Sequence, residues 1–269
     1  MRHAGRSRLA GLALIGLVAA FAGGPGAAAR SPQAVVGVPG CADDVPVRAS
    51  RELVTFESRG RQVRAYLYTP RGAVNGAGIV MLHGGTGFEM NSILFDAHAI
   101  QLASRGYRVI LPAYFDAAAP DQNRPVVTAR AWRHVALDAA TRLAAKPGVS
   151  AGQVALWGYS RGAGVALGAA TDPASTVRSV ILAAGGGSVD ENLEGRDLSF
   201  LLLHARRDEA VSVRATMALA QDLRDAGAAA EVQQLDFDGH QYDLPTWCAV
   251  MGRTRTFLET RRSSGNEPS

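Results

Sequence analysis

Residues 153–164 read QVALWGYSRGAG and decide the fold of this chain. The apolar run from Val154 to Trp157 predicts a strand buried on both faces, and the small residues after the turn predict a helix packed closely on the sheet. Between them lies Gly158-x-Ser160-x-Gly162, the pattern of a nucleophile elbow. A strained turn that presents the serine hydroxyl has no room for side chains two positions away. This stretch alone leaves one alternative open, a glycine-rich turn without chemistry.

Apolar segments alternate with helical ones along the rest of the chain. The alternation predicts the α/β class, with a mostly parallel central sheet and helices on both faces. Two amphipathic segments come first and predict an N-terminal antiparallel hairpin. We expect the first helix to be capped by Asn91 or Ser92. The strands are expected near 52–57, 62–69, 79–82, 107–112, 177–183, 198–203 and 231–236, and the helices, besides the one after the elbow, near 91–105, 126–145, 211–226 and 245–261.

Length and composition predict one large domain. The chain has 269 residues, 47% of them hydrophobic and 19% charged, as in ordinary globular proteins. The segment 187–197, where a helical lid would enter, is short and polar, so we expect no large lid. The expected organisation is a signal peptide at 1–29, an extended leader at 30–50, the α/β domain at 51–262 and a flexible tail at 263–269. The sequence does not predict the oligomeric state.

The N-terminus has the three parts of a secretory signal. Arginines come first, the apolar run Leu9 to Phe21 follows, and Ala27-Ala28-Ala29 supplies small residues for cleavage. An uncleaved anchor is the alternative, but the run is short and rich in glycine and alanine. We therefore expect a periplasmic or secreted protein with no stable membrane association after cleavage. Three arginines leave with the signal, so the formal charge falls from +4 to +1 and no nucleic-acid partner is expected.

The chain has two cysteines, Cys41 and Cys248. In an exported protein such a pair suggests one disulfide, here between the leader and the C-terminal helix. Two unpaired thiols are the alternative. Neither cysteine lies in an elbow, so neither is the expected nucleophile.

A serine nucleophile needs a base to take its proton, and histidine is the side chain that titrates in the working range. His240 lies on a Gly-flanked loop after the last strand, where its imidazole could reach Ser160. We therefore expect His240 to be the base. His83 is expected to shape a glycine-rich loop and His204 to pack beneath the acid loop. The other histidines lie in the signal or in helices, at His3, His98 and His134.

The base needs a carboxylate to orient it, and the candidate is Asp208. It follows the strand 198–203, so the catalytic order along the chain is Ser, Asp, His, as the elbow fold expects. Glu209, Asp236 and Asp238 are neighbouring carboxylates that could be mistaken for it. The carboxyl ends of parallel strands meet at one edge, so these loops should converge there.

An oxyanion hole needs two backbone N–H groups directed at the developing negative charge. One is expected from Arg161, directly after the nucleophile at a helix N-terminus. The other should come from the loop His83-Gly84-Gly85-Thr86-Gly87, since glycine allows close approach to substrate. We choose Gly85, with Thr86 second.

These motifs resemble the α/β-hydrolase superfamily, and the compact layout is similar to its dienelactone-hydrolase-like branch. The resemblance spans residues from about 52 to 262. It implies a serine hydrolase that cleaves a small-molecule carboxylic ester or lactone through an acyl-enzyme, without metal or organic cofactor. Dienelactone hydrolases proper have a cysteine at the elbow and are mostly cytoplasmic, whereas this chain has Ser160 and an export signal. The dienelactone substrate is therefore not implied.

Two other functions stay open at this stage. The same three residues could transfer the acyl group to another acceptor or cleave an amide, as in an acyltransferase, amidase or peptidase. The chain could also be a catalytically silent α/β-hydrolase fold that binds a ligand. The second is disfavoured because every required residue type is present.

Overall fold

The computed structural model describes residues 40–264, apart from the side chains at 92–94, 151 and 264. The expected signal peptide, residues 30–39 of the expected leader and the last five residues of the expected tail lie outside the described residues. Within 40–264, no helix combines the length and the apolar character that crossing a bilayer demands.

The described residues form one eight-stranded sheet with α-helices around it. The strands are β1 Ala49–Ser58, β2 Arg61–Pro70, β3 Gly76–Leu82, β4 Arg108–Pro112, β5 Val149–Tyr159, β6 Ser179–Ala183, β7 Ser199–Arg207 and β8 Ala229–Asp238. The helices are α1 Phe88–Ser104, α2 Pro125–Ala144, α3 Arg161–Thr171, α4 Val213–Asp225 and α5 Leu244–Ser264, with a short 3-10 helix at Tyr114–Asp116.

The strand order is β1-β2-β4-β3-β5-β6-β7-β8. β1 and β2 form the predicted antiparallel hairpin, β2 pairs antiparallel with β4, and all later neighbours pair in parallel. The predicted α/β-hydrolase fold is confirmed. No helix lies between β6 and β7 in the described chain, as expected for a fold without a large lid. The loops after β5, β7 and β8 leave the same edge of the sheet.

The sheet separates two apolar cores, and successive residues of a central strand face opposite cores. In β5, Leu156 belongs to the core that α2, α3 and α4 cover, whereas Trp157 belongs to the core that α1 and α5 cover. Both side chains are completely buried. This is why the elbow strand reads as a continuous apolar run rather than an alternating one.

The first helix begins earlier than predicted. α1 starts at Phe88, after Gly87 turns the chain at φ 94°, so neither Asn91 nor Ser92 is its cap. The side chain of Asn91 instead accepts a hydrogen bond from the N–H of Gly84 at 3.1 Å and donates to the carbonyl of Gly87 at 2.7 Å. The residue that resembles a cap therefore anchors the glycine-rich loop that precedes the helix.

The tail and the leader also differ from their predicted bounds. α5 continues through Ser264, so residues 263–264 are helical and not a loose tail. β1 begins at Ala49, inside the predicted leader. The part of the leader at 40–48 has no regular structure, but it lies along α1, where Gln101 accepts from the N–H of Val45 at 2.9 Å.

The predicted disulfide is present between Cys41 and Cys248 and joins the leader to α5. An ion pair between Asp43 and Arg255 lies beside it. The loop that it closes is long, and the chain-entropy model assigns such a loop about 5 kcal/mol of stabilisation.

Candidate active site

Ser160 lies in a strained backbone conformation at the carboxyl end of β5. Its φ is 54° and its ψ is −118°, a region that residues other than glycine rarely occupy. Its N–H donates to the carbonyl of Ala183 in β6 at 2.9 Å, so the turn is fixed to the neighbouring strand. Strain of this kind persists only where the surroundings enforce it.

The two glycines of the elbow are required by close backbone contacts. A Cβ on Gly158 would lie 2.2 Å from the carbonyl oxygen of Gly162, and a Cβ on Gly162 would lie 2.2 Å from that of Leu82. Neither backbone can move without displacing the sheet. By contrast, a Cβ on Gly164, two residues further along α3, meets nothing within 4 Å. The sequence predicts that the elbow has no room for side chains two positions before and after Ser160, and the contacts at Gly158 and Gly162 confirm this.

The structure brings together Ser160, His240 and Asp208. His240 Nε2 lies 2.8 Å from the Ser160 hydroxyl oxygen, and His240 Nδ1 lies 2.8 Å from Asp208 Oδ2. The side chains of His240 and Asp208 are 8% and 0% exposed. Because a carboxylate accepts from Nδ1–H, Nε2 is left free to accept the serine proton. Hydroxyl, imidazole and carboxylate thus form one hydrogen-bonded chain.

Asp208 is held as a carboxylate by its hydrogen bonds. Burial alone would raise its pKa, but hydrogen bonds from His240 and from the N–H groups of Val211 and Ala210 outweigh burial and lower the pKa. Both N–H groups donate to Oδ1 at 2.8 Å, which leaves Oδ2 for the imidazole. The two oxygens therefore have separate tasks.

The loop that carries His240 is fixed from three sides. The N–H of Gly239, whose φ is 129°, donates to the carbonyl of Arg207 at 2.5 Å. The N–H of His240 donates to the carboxylate of Glu209 at 3.1 Å. The hydroxyl of Tyr159 donates to the carbonyl of His240 at 2.6 Å, and the two rings stack with centroids 5.4 Å apart.

Sequence reasoning missed these two supports of the histidine loop. From the sequence, Glu209 is only a carboxylate that could be mistaken for the acid. Tyr159 stands inside the elbow pattern, where any residue is allowed. The one usable signal was adjacency, because each of them directly neighbours an expected catalytic residue in the chain.

His83 shapes the glycine-rich loop, as expected, and does not approach the triad as a base. Its Nδ1 lies 2.9 Å from the carbonyl of Gly84, and its ring stacks on Tyr114 with centroids 4.0 Å apart. The hydroxyl of Tyr114 donates to the His83 carbonyl at 2.7 Å. Burial lowers the pKa of His83 to about 4, so the ring is neutral near pH 7.

The residues of the two expected oxyanion donors, Arg161 and Gly85, lie close together. Arg161 is the first residue of α3, so its N–H has no acceptor within the helix. Gly85 is exposed on the glycine-rich loop, and a Cβ placed on it would lie 3.5 Å from Nε of Arg161. The N–H of Gly84 is already engaged by Asn91, which leaves Gly85 as the next donor of the loop.

The side chain of Arg161 is held over aromatic rings. Its guanidinium carbon lies 6.0 Å from the ring centroid of Phe115 and 5.7 Å from that of Trp132. Such cation–π contacts restrict a long side chain without burying its charge.

Among residues 40–264, one group has the spacing of metal ligands, formed by Cys41, Asp43 and Asp44. The sulfur of Cys41 is bonded to Cys248 and cannot act as a thiolate ligand. Two exposed carboxylates remain, and they belong to the leader rather than to the triad.

Comparisons with known proteins agree with this architecture. The family model of the dienelactone hydrolase family matches residues 63–243. No curated protein matches the chain. A dienelactone-hydrolase-like promiscuous phosphotriesterase from metagenomic libraries is 17% identical, with a TM-score of 0.66 over 79% of this chain and 98% of that one. A hyperthermophilic esterase from the archaeon Pyrobaculum calidifontis is 18% identical, with a TM-score of 0.60 over 81% of this chain and 88% of that one. At such identities the likeness shows the fold.

Proposed function

Because this chain belongs to the dienelactone hydrolase family, we propose that it is an exported serine hydrolase of carboxylic ester or lactone bonds. The observation that supports this most is the hydrogen-bonded chain from Ser160 through His240 to Asp208, with both contacts at 2.8 Å. A serine replaces the cysteine typical of dienelactone hydrolases proper. The substrate is therefore proposed as an accessible small-molecule ester or lactone, not as a dienelactone.

The proposed reaction has two halves. Ser160 Oγ attacks the carbonyl carbon while His240 Nε2 takes its proton, and Asp208 stabilises the imidazolium that forms. His240 then gives the proton to the leaving alkoxide as the C–O bond breaks, which leaves an acyl group on Ser160. Water attacks that acyl group with its proton going to His240, and the carboxylic acid leaves as Ser160 regains its proton.

The negative charge of each tetrahedral intermediate needs fixed donors. We propose the N–H groups of Arg161 and Gly85 for this role. The first is supported by its position at the start of α3, and the second by the rigid loop that Asn91 and His83 hold in place. Loss of one such donor typically lowers turnover ~10²–10³-fold.

The proposed location is the periplasm or the exterior of the cell. The disulfide between Cys41 and Cys248 supports it, since such bonds persist in oxidising compartments. N-terminal sequencing of the mature protein tests this part separately. A new N-terminus close to residue 30 is expected, and an intact N-terminus on a membrane-bound protein would contradict it.

The Ser160→Ala variant tests the chemistry. It should fold like the parent protein and lose hydrolysis of p-nitrophenyl acetate to the level of buffer. The matched control is Ser263→Ala on the exposed end of α5, which should keep full activity. Undiminished turnover in Ser160→Ala would remove the proposed mechanism.

A further inference from the structure

A second histidine lies behind the acid of the triad. His204 lies in β7, is 1% exposed, and precedes Asp208 by four residues in the sequence. Its Nε2 lies 2.9 Å from the carbonyl oxygen of Val211 and 3.6 Å from Asp208 Oδ2. On the other side of the ring, Nδ1 lies 2.8 Å from the hydroxyl oxygen of Thr216. Both ring nitrogens are therefore engaged, whereas the sequence indicated only packing.

The protons available to these contacts can be counted. The hydroxyl of Thr216 also lies 2.7 Å from the carbonyl oxygen of Gly185. The two carbonyl oxygens, of Gly185 and Val211, accept only. Three short contacts thus need three protons, but a hydroxyl and a neutral imidazole bring one proton each.

Each neutral form of the ring leaves one contact without a proton. If Nε2 is protonated, it donates to Val211, and Thr216 must donate to Nδ1, so the contact from Thr216 to Gly185 becomes a repulsion between lone pairs. If Nδ1 is protonated, it donates to Thr216, and Thr216 donates to Gly185, but Nε2 then faces the Val211 carbonyl lone pair to lone pair. Only a ring protonated on both nitrogens satisfies all three contacts.

We propose that His204 is an imidazolium in the working enzyme and is a positioning residue for the acid, so that Asp208 lies between two imidazoles. This inference builds on the proposed triad. Its Nε2–H would donate chiefly to Val211 and fix the turn from which the N–H groups of Ala210 and Val211 hold Asp208. Both imidazoles approach the same oxygen, Oδ2 of Asp208, His240 through Nδ1 at 2.8 Å and His204 through Nε2 at 3.6 Å.

The surroundings of His204 contain few competing charges. Among the described residues, Asp208 and His240 are the titratable groups that act on it, while α4 contributes only the hydroxyl of Thr216 and the loop after β6 only the carbonyl of Gly185. Burial is the largest influence and holds the pKa of His204 below its ordinary value; the charge of His240 acts with burial, whereas the Val211 carbonyl and the charge of Asp208 oppose it. The case for the charged ring therefore rests on the geometry of the three contacts. A hydroxyl already donating to Gly185 can only accept from Nδ1, and this contact also favours the charged ring.

A permanent cation at this position has a consequence for catalysis. When His240 takes the serine proton, it becomes a second cation on the same carboxylate. The field of His204 therefore makes His240 release that proton to the leaving alkoxide more readily and extends activity to lower pH. Loss of the charge on His204 should shift the acid limb of the kcat/KM profile to higher pH by about one pH unit.

Nitrogen NMR tests the protonation state directly. Protein labelled with ¹⁵N-histidine, in the Ser160→Ala background, should show two protonated ring nitrogens for His204 at pH 7, with the assignment taken from their loss in His204→Gln. Thr216→Val removes the hydroxyl acceptor and should return the ring to one protonated nitrogen. A single protonated nitrogen with Thr216 in place would overturn the proposal.

Kinetics supply a readout that a purely structural role would not move. In His204→Gln, the acid limb of kcat/KM for p-nitrophenyl acetate should shift to higher pH, while His98→Gln, a control at another buried histidine, should leave it in place. An unshifted limb in an active, folded His204→Gln enzyme would contradict the proposal. If the unaltered protein hydrolyses no ester, the proposed function fails, and the NMR result still decides the state of His204.

Discussion

The elbow and the histidine loop reach the same hydrogen-bonded chain by different physical means. At the elbow, Ser160 is held by close backbone contacts, of Gly158 with Gly162 and of Gly162 with Leu82 in the neighbouring strand β3. At the histidine loop, His240 is held by the side chains of Glu209 and Tyr159, which are distant in sequence. Steric exclusion should therefore decide whether the elbow folds at all, whereas hydrogen bonds should decide how accurately the imidazole is aimed.

The largest effect is expected from Gly162→Ala. The new methyl group would collide with the backbone of Leu82 in the middle of the sheet, where no flexible side chain can yield. We expect a loss of more than about 4 kcal/mol in the free energy of unfolding, or no soluble protein. Urea denaturation measures it.

Gly164→Ala is the matched control in the same helix, since its added methyl group meets nothing. It should be neutral or more stable by up to about 1 kcal/mol. Equal stability of the two variants would show that steric exclusion does not shape the elbow.

Asp208→Asn should damage activity and spare the fold. The N–H groups of Ala210 and Val211 would keep holding the amide oxygen, so the amide NH₂ would face His240 Nδ1. The imidazole would then carry its proton on Nε2 and could not accept from Ser160. In the serine protease triad, the same exchange lowers kcat ~10⁴-fold, and we expect a loss of that order.

Steady-state hydrolysis of p-nitrophenyl acetate measures this loss, and circular dichroism checks the fold. Asp238→Asn, at an exposed carboxylate paired with Arg206, should change kcat less than twofold, roughly as expected for a surface ion pair. A comparable loss in both variants would mean that the carboxylate of Asp208 has no special role.

The smallest effect is expected from Tyr159→Phe. The variant keeps the ring stacked on His240 but removes the hydroxyl that donates to the His240 carbonyl. One lost buried hydrogen bond corresponds to about 1–2 kcal/mol, or roughly tenfold in kcat if it is felt at the imidazole. Tyr68→Phe also removes a buried hydrogen bond, to Asp96, and should lose stability but no activity. Equal kcat values in the two variants would show that the Tyr159 hydroxyl does not help to orient the imidazole of His240.

The same contrast explains which features could be predicted from the sequence. The apolar strand, the turn and its glycines follow from steric exclusion around one short stretch of chain, so the residue types themselves indicate them, even though the backbone that Gly162 meets belongs to Leu82 in β3. The partner of Glu209 depends on where two distant loops meet, and the partners of Asn91 depend on how the preceding glycine-rich loop folds back onto its helix. A sequence shows only that Asn91 could cap a helix and that Glu209 is a carboxylate near Asp208, and it cannot show which backbone N–H each one meets.

The central claim, that His240 activates Ser160, is tested most directly by labelling with a fluorophosphonate probe followed by peptide mass spectrometry. The account predicts rapid, stoichiometric modification of Ser160 in the native protein, and labelling slowed by several orders of magnitude in His240→Ala. An unlabelled Ser160, or labelling that does not depend on His240, would contradict it.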